Sequence, residues 1–365
     1  MIILKPLQTQ SINDWKSNNK RSVIVLPTGS GKTIIALDIV KNSQYNNILV
    51  LVNTNHLITH WKTHIEKYNL NKKIEVKTIQ SVYKQTNLNY DLLIGDEAHR
   101  LVSPEYSNFL FKNNFKDILF LTCDITRYDG RETLLKNLNI EIINKVTHQQ
   151  AINEKLLSDF KIINYGTILS EGEQIKYSQY QKFILANFKK FKYNFNMVKT
   201  MLYDPIAQEL IRKFNLRKQL LSTSVSKFYI LLKILKEERY NKCIIFTENI
   251  DYAESVKDFL LFNKIDSGIY HSKTNDSAII DFRSNKINIL ITVKALDEGF
   301  DIPSADMGII MASTQQHRQT VQRLGRLLRY QEGKEAKLFN IYIKKTKEES
   351  WLNTRLKGLK NIIWR

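Results

Sequence analysis

The stretch from Val23 to Thr33 constrains this chain more than any other. Four apolar residues, Val23-Ile24-Val25-Leu26, run into Pro27-Thr28-Gly29-Ser30-Gly31-Lys32-Thr33, and a helical pattern starts near Lys32. Strand, glycine-containing loop and helix in that order form a cradle in which the backbone N–H groups of residues 29 to 33 converge on a phosphate, helped by the positive end of the helix. Lys32 then reaches the β- and γ-phosphates, and the Thr33 hydroxyl holds Mg²⁺. The full phosphate-loop pattern would start with glycine at position 26, where this chain has leucine. Thr28, Gly29, Ser30, Gly31, Lys32 and Thr33 are therefore the first candidate nucleotide residues.

A second string supplies the acids that such a loop lacks. Asp96-Glu97-Ala98-His99 follows the apolar run Leu92-Leu93-Ile94, which puts Asp96 at the carboxyl end of a strand, where open α/β sheets bind their ligands. Asp96 is the candidate Mg²⁺ ligand beside Thr33, and Glu97 the candidate to orient and deprotonate an attacking water. A third string, Gln322 to Arg329, is basic and lies near the other end of the chain. Arginines there can neutralise the γ-phosphate.

The 365 residues suffice for two domains. Apolar runs alternate with amphipathic stretches at Val23 to Leu26, Ile48 to Val52, Leu92 to Ile94 and Ile118 to Leu121, and again at Cys243 to Phe246, Ile269 to Tyr270, Ile289 to Thr292, Met307 to Met311 and Leu338 to Ile343. This βαβ rhythm predicts an α/β protein of two parallel-sheet lobes, residues 1–147 and 148–365, with a helical insertion at about 171–240 in the second. From Trp351 to Arg365, Leu352, Leu356, Leu359, Ile362 and Ile363 recur at near-helical spacing and predict a packed helix. Cys123 and Cys243 sit in or beside strand-like runs and read as buried thiols of a reducing compartment. With no apolar run of about 18 residues and only a short apolar N-terminus, the expectation is an intracellular, cytoplasmic protein without a membrane partner. Lys and Arg number 55 against 36 Asp and Glu, a net charge of +19, and that excess points to a polyanion.

Taken together, these strings resemble superfamily 2 helicases and translocases of the DEAH-containing type, which are built on two RecA-like lobes. The similarity runs through most of the chain: Lys5-Pro6-Leu7-Gln8, Leu51 to Thr54 with Trp61, Thr78 to Ser81, Ile244 to Phe246, Tyr270 to Lys273, Thr292, Ala295 to Pro303 and Gln322 to Arg329 stand in family order. The resemblance implies ATP and Mg²⁺ as cofactors, with Gln8 reading adenine and Glu298, Gly299 and Asp301 in the loop that senses the nucleotide. Gln322, Arg326 and Arg329 would face the γ-phosphate across a cleft, with Arg323 beside them. It also implies backbone contacts to nucleic acid at Thr54, Thr78, Ser81, His271, Lys273 and Thr292, and coupling of hydrolysis to movement through His99 and Thr122. The family pattern of Ser or Thr, Ala and Thr becomes Thr122-Cys123-Asp124 here, so Asp124 is expected to accept a hydrogen bond from His99.

Residues 182–199 interleave Lys182, Lys189, Lys190, Lys192 and Lys199 with Phe183, Phe188, Phe191, Tyr193 and Phe195 and hold no acid. Bases could stack there with Lys189, Lys190 and Phe191 as contacts, or the aromatics could pack inside an amphipathic helix. Within the superfamily, Leu296 to Pro303 and Gln322 to Arg329 most resemble the group of phage UvsW, bacterial RadD and XPB-type proteins. That group implies ATP-driven branch migration on forked or branched DNA. A duplex translocase of a restriction-type system, an RNA helicase and an ATP-gated clamp that does no unwinding share the same core strings.

Overall fold

The computed structural model describes residues 3–125, 130, 133–271, 273–293, 305–312, 335–357, 359 and 361–365. The chain divides into two compact units, the first holding the described residues up to Asp159 and the second most of those from Phe160 on.

In the first unit, β1 (Arg21–Val25), β2 (Asn47–Val52), β3 (Lys73–Thr78), β4 (Asn89–Asp96), β5 (Asn114–Thr122) and β6 (Glu141–Ile143) form one sheet in the order β3-β2-β4-β5-β1-β6. All of its pairings are parallel. Parallel strands are covered on both faces, so the apolar runs split by alternation. Ile24, Ile48, Val50, Val52, Leu92, Ile94, Leu119 and Leu121 face one core with Trp15 and Trp61, whereas Val23, Leu49, Leu51, Leu93, Ile118 and Phe120 face another with Phe109. The first core is roofed by α1 (Pro6–Ser17), α2 (Lys32–Lys41) and α3 (Asn55–Lys67). Each fully buried Leu or Ile contributes about 1.5–3 kcal/mol. That drive makes the β-propensity of these short runs decisive.

The second unit has β7 (Asp159–Thr167), β8 (Cys243–Thr247), β9 (Gly268–Tyr270), β10 (Ile289–Val293), β11 (Met307–Ile310), β12 (Glu335–Ile343) and β13 (Ile362–Trp364), ordered β13-β7-β12-β11-β8-β10-β9. Between β7 and β8 run helices Glu171–Phe188, Phe195–Thr200, Pro205–Ser222 and Ser226–Glu237. The first three enclose a small core of their own, made by Ile184, Phe191, Val198, Ala207 and Leu210. Pro205 sits at the first position of its helix, where its missing N–H is harmless, and Asp204 caps it by accepting from the Ile206 N–H at 2.8 Å.

Two expectations change. The helical spacing from Leu352 onward holds only to Leu356; Asn361 then turns with φ of 58°, and Ile362, Ile363 and Trp364 add a parallel edge strand beside Ile162, Ile163 and Asn164. Sheet hydrogen bonds outcompete the weak helix pattern once β7 offers a free edge, a partner far away in sequence. Cys123 is only half-buried, unlike the fully buried Cys243, and neither is in a disulfide.

The second unit also buries charge. The Lys227 ammonium, 0% exposed, donates to Glu348 Oε1 and to the Met311 carbonyl, both at 2.7 Å, and Glu348 Oε2 accepts from the Ile343 N–H at 2.9 Å. Desolvation pulls the Lys227 pKa down against the pull of Glu348. Removing one member of such a pair costs more than the pair contributes, because the other charge stays buried. Lys227→Met should therefore destabilise the protein by about 3 kcal/mol or more in urea unfolding, and adding Glu348→Gln should recover part of the loss.

Candidate nucleotide site and nucleic-acid surface

Three strand ends build the site. β1, β5 and β4 are neighbours in the sheet, with Val25 paired to Thr122 and Leu121 to Asp96. The loop after β1, the Thr122 hydroxyl and the two acids after β4 are thereby set on one edge, in the order phosphate cradle, Thr122, carboxylates. A hydrogen bond from the Leu26 N–H to the Thr122 carbonyl, 3.0 Å, locks the loop's entry to β5.

The loop itself has the backbone that glycine permits. Gly29 and Gly31 have φ of 87° and 84°, a left-handed conformation that side chains disfavour. A methyl group at Gly31 would also stand 2.5 Å from the Gln8 amide nitrogen. That amide donates to the Ser30 carbonyl at 2.9 Å while its oxygen accepts from the Lys5 N–H at 2.9 Å. Gln8, expected to read adenine, thus also braces the phosphate loop. Lys32 is buried and donates to the carbonyls of Leu26 and Pro27 at 3.1 and 3.2 Å, bonds that phosphate oxygens can replace. Among the described residues, the Thr28 hydroxyl is buried without a partner.

The acids are held more tightly. Asp96 is 9% exposed; its Oδ2 accepts from the Trp61 indole N–H at 3.0 Å and its Oδ1 from the Glu97 N–H at 3.1 Å. Desolvation, and then the neighbouring Glu97 carboxylate, push its pKa to about 6. Glu97 has φ of 55° and ψ of 50°, a left-handed turn for a non-glycine residue that costs about 1 kcal/mol or more. This strain turns two consecutive carboxylates toward the same strand edge.

His99 Nδ1 lies 3.4 Å from Glu97 Oε2 and 3.3 Å from Thr122 Oγ1. The Thr122 hydroxyl donates to the Asp124 carbonyl at 2.9 Å, so it must accept from His99, which puts the imidazole proton on Nδ1. His99, Thr122 and Asp124 are brought together, but the bonds run through the Thr122 hydroxyl and the Asp124 main chain. Asp124 has a route to His99 that does not use its carboxylate.

These residues fit the group that the resemblance implies. A loop of N–H donors at the N-terminus of α2, a buried ammonium, the Thr33 hydroxyl one position along and a costly buried carboxylate form a donor set for a nucleoside triphosphate with a hard cation such as Mg²⁺. Gln322, Arg323, Arg326, Arg329, Glu298, Gly299 and Asp301 lie outside the described residues.

The nucleic-acid candidates occupy strand ends in both units. Thr54 follows β2 and caps α3, accepting from the Leu57 N–H at 3.4 Å. Thr78 ends the neighbouring β3 opposite Val52, and exposed Ser81 donates to its carbonyl at 2.7 Å. In the second unit, Thr292 on β10 is paired with Tyr270 on β9, and His271 follows directly. His271 is buried, accepts from the Lys273 N–H at 3.2 Å and stands 3.7 Å from Glu254; Lys273 itself is exposed. In the insertion, Phe191 is 0% exposed and packs in the small core, so its ring cannot receive a base and the packing alternative holds at that position. Lys189 is exposed, and Lys190 pairs with Asp204 at 2.9 Å. Outward aromatics of the insertion include Tyr193, Tyr203 and Tyr229, 66%, 79% and 72% exposed, with Phe195 at 38%. The alternation of Lys with aromatics could not reveal which rings turn inward, since the helix breaks at Lys192 and Tyr193, where φ is 50° and 55°.

Trp61 stands in a string that the resemblance names, but its partner could not be read there. Its indole reaches Asp96 across 35 positions, and only the packing of α3 on the sheet makes the two neighbours.

A carboxyl whose folded pKa is raised ionises first in the unfolded chain, so the penalty builds as pH rises from the ordinary value of 3.8 to about 6 and is complete above that. Asp96→Asn, which can still accept from Trp61, should raise the Tm of the nucleotide-free protein at pH 7.5, with the gain shrinking toward pH 4. Differential scanning calorimetry at the two pH values checks this.

Comparison with known proteins agrees with this geometry. Residues 1–123 match the family model "Type III restriction enzyme, res subunit", and residues 226–331 match "Helicase conserved C-terminal domain". The DNA 3'-5' translocase XPB2 of Sulfurisphaera tokodaii is 30% identical over 94% of this chain and 82% of its own length. The DNA 3'-5' helicase XPB of Kineococcus radiotolerans is 20% identical over 98% of this chain and 62% of its own. The general transcription and DNA repair factor IIH helicase/translocase subunit XPB of Drosophila melanogaster is 22% identical over 93% of this chain but only 44% of its own. The Hef helicase domain of Pyrococcus furiosus shares the fold, with a TM-score of 0.57 at 15% identity, covering 96% of this chain and 98% of that domain. Its two parallel-sheet lobes are therefore RecA-like, and the chain belongs to the XPB-like family of ATP-dependent DNA helicases and translocases in superfamily 2.

Proposed function

We propose that this protein uses ATP hydrolysis to remodel forked or branched DNA, moving with the 3'-5' polarity for which its XPB2 relative is named. The observation that carries an energy-using role is the strand edge where the phosphate loop, Thr122 and the acids Asp96 and Glu97 adjoin through paired strands. A protein that merely clamps nucleic acid has no need of a strained Glu97 beside a buried carboxylate.

In this reading the loop and Lys32 bind the β- and γ-phosphates, while Thr33 and Asp96 would hold the cation, which supplies charge neutralisation when bound. Glu97 orients the attacking water and takes its proton. Arg326 and Arg329 stabilise the charge that develops on the γ-phosphate, with Gln322 beside them; arginines in that role are worth on the order of 10³ or more in rate. Glu298, Gly299 and Asp301 report nucleotide state. His99, donating to Thr122 and lying near Glu97, links the hydrolytic acid to the segment that continues to Asp124.

DNA is gripped through its backbone. Thr54, Thr78, Ser81, His271, Lys273 and Thr292 offer hydroxyls, amides and one ammonium, groups suited to sequence-blind phosphate contacts. The branch-directed part of the reading is supported by the insertion, whose exposed Lys189, Lys192, Tyr193 and Tyr203 present cations and rings to a junction. A duplex translocase that separates no strands is the second reading, favoured by the translocase activity for which the XPB2 relative is named.

Strand displacement from a synthetic DNA fork, beside a blunt duplex and an RNA fork, tests this. Fork displacement that vanishes in Lys32→Ala is the expected result, and duplex-stimulated ATPase without displacement would select the translocase. Thr122→Val should lose displacement while retaining much of its ATPase, because it cuts the bond from His99.

A further inference from the structure

The phosphate loop and the acids account for the nucleotide, but not for the choice of partner made by Trp61. A buried indole N–H needs an acceptor, and backbone carbonyls ordinarily serve; Trp15 does this, donating to the Ile118 carbonyl at 2.9 Å. Trp61, 1% exposed, instead donates to the carboxylate of Asp96 at 3.0 Å. The other carboxylate oxygen takes the Glu97 N–H. One donor therefore comes from the strand that carries Asp96 and the other from a separate helix.

That helix, α3, is capped by the side chain of Thr54 just before its first turn. Thr54 and Trp61 lie seven positions apart, close to two helical turns, so they share a face of α3. Buried Leu57 stands between them. A shift of the first turn is carried rigidly to Trp61, and a hydrogen bond of this length weakens steeply with distance and angle.

We propose that Trp61 is a positioning residue: its N–H sets the orientation of the cation-binding Asp96 carboxylate, and α3 thereby passes strand engagement at Thr54 to the nucleotide site. Both halves rest on the cation role proposed above for Asp96, and the transmission half rests also on the DNA contact proposed above for Thr54. Partners that orient a metal-binding carboxylate are typically worth 10–100-fold in metal affinity.

Replacing Trp61 by β-(benzothienyl)alanine through codon suppression keeps the ring's shape and deletes only the N–H. The readout is Mn²⁺ affinity, measured by electron paramagnetic resonance on protein bound to a non-hydrolysable ATP analogue, with and without a forked oligonucleotide. About a tenfold weaker Mn²⁺ affinity is expected, with Tm, metal-free nucleotide binding and fluorescence-anisotropy DNA binding unchanged. In the unmodified protein bound DNA should tighten Mn²⁺ binding, and in the modified one this response should disappear. Wild-type Mn²⁺ affinity in the modified protein would overturn the proposal and leave Trp61 as a packing residue. If DNA binds the unmodified protein without changing Mn²⁺ affinity, the transmission half fails. If it binds no DNA at all, the DNA reading of Thr54 fails, and the tenfold loss still decides the positioning half.

Discussion

Asp96 is a buried carboxylate, and much of the first unit is arranged around the cost of desolvating it. A carboxylate at the end of a central strand, roofed by α3, loses water that nothing apolar can replace. What it retains is an indole N–H, a backbone N–H and the field of the Lys32 ammonium, which together leave its pKa at about 6. These groups come from α3, β4 and the start of α2, so the site exists only when the sheet, its roof and the phosphate loop are assembled together. An acid poised in this way favours a cation strongly, because binding one relieves both its desolvation and its repulsion with Glu97.

The parallel sheet makes that convergence inexpensive. With strands running in one direction, every loop that follows a strand emerges on the same edge, and β1, β5 and β4 deliver the cradle, Thr122 and the acids side by side. The bond from His99 to Thr122 then spans the ends of β4 and β5, and the departure from the family pattern at Cys123 and Asp124 leaves it intact because the main chain of Asp124 completes it. The second unit repeats the arrangement with Thr292 and His271 at the ends of β10 and β9. It also spends buried charge on structure: Lys227 and Glu348 fasten the helix before β8 to the end of β12, and Arg355 reaches Asn340 at 3.0 Å, which in turn bonds Asn164 at 2.8 Å. This polar seam ties β7 and β12 to the C-terminal helix Lys347–Leu356, fixing strands that come from widely separated parts of the chain.

Local order explains which parts were legible beforehand. Runs such as Leu92 to Ile94 and Cys243 to Phe246 are strands buried on both faces, so their apolar signal is continuous, and the motifs placed at their ends follow directly. β3 is different: Lys73-Ile74-Glu75-Val76-Lys77-Thr78 lies at the edge of its sheet, and its polar alternation gives no apolar run. β7 and β13 escaped for the same kind of reason, since each becomes a strand through a partner about 200 positions away. The burial of Phe191 could not be read from the Lys and aromatic run either, as it depends on helices Glu171–Phe188 and Pro205–Ser222 closing over it.

The sequence by itself determined the fold class and the family, because the cradle string, the acids after β4 and the apolar runs before them are local patterns whose reading follows from residue type and spacing. Only the tertiary structure decided how those groups are held: which tautomer His99 adopts, that Gln8 braces the loop, and that Trp61 on α3 sets the Asp96 carboxylate. Those relations are hydrogen bonds between residues far apart in the chain, and no spacing rule specifies a donor until packing has brought it within about 3 Å of its acceptor.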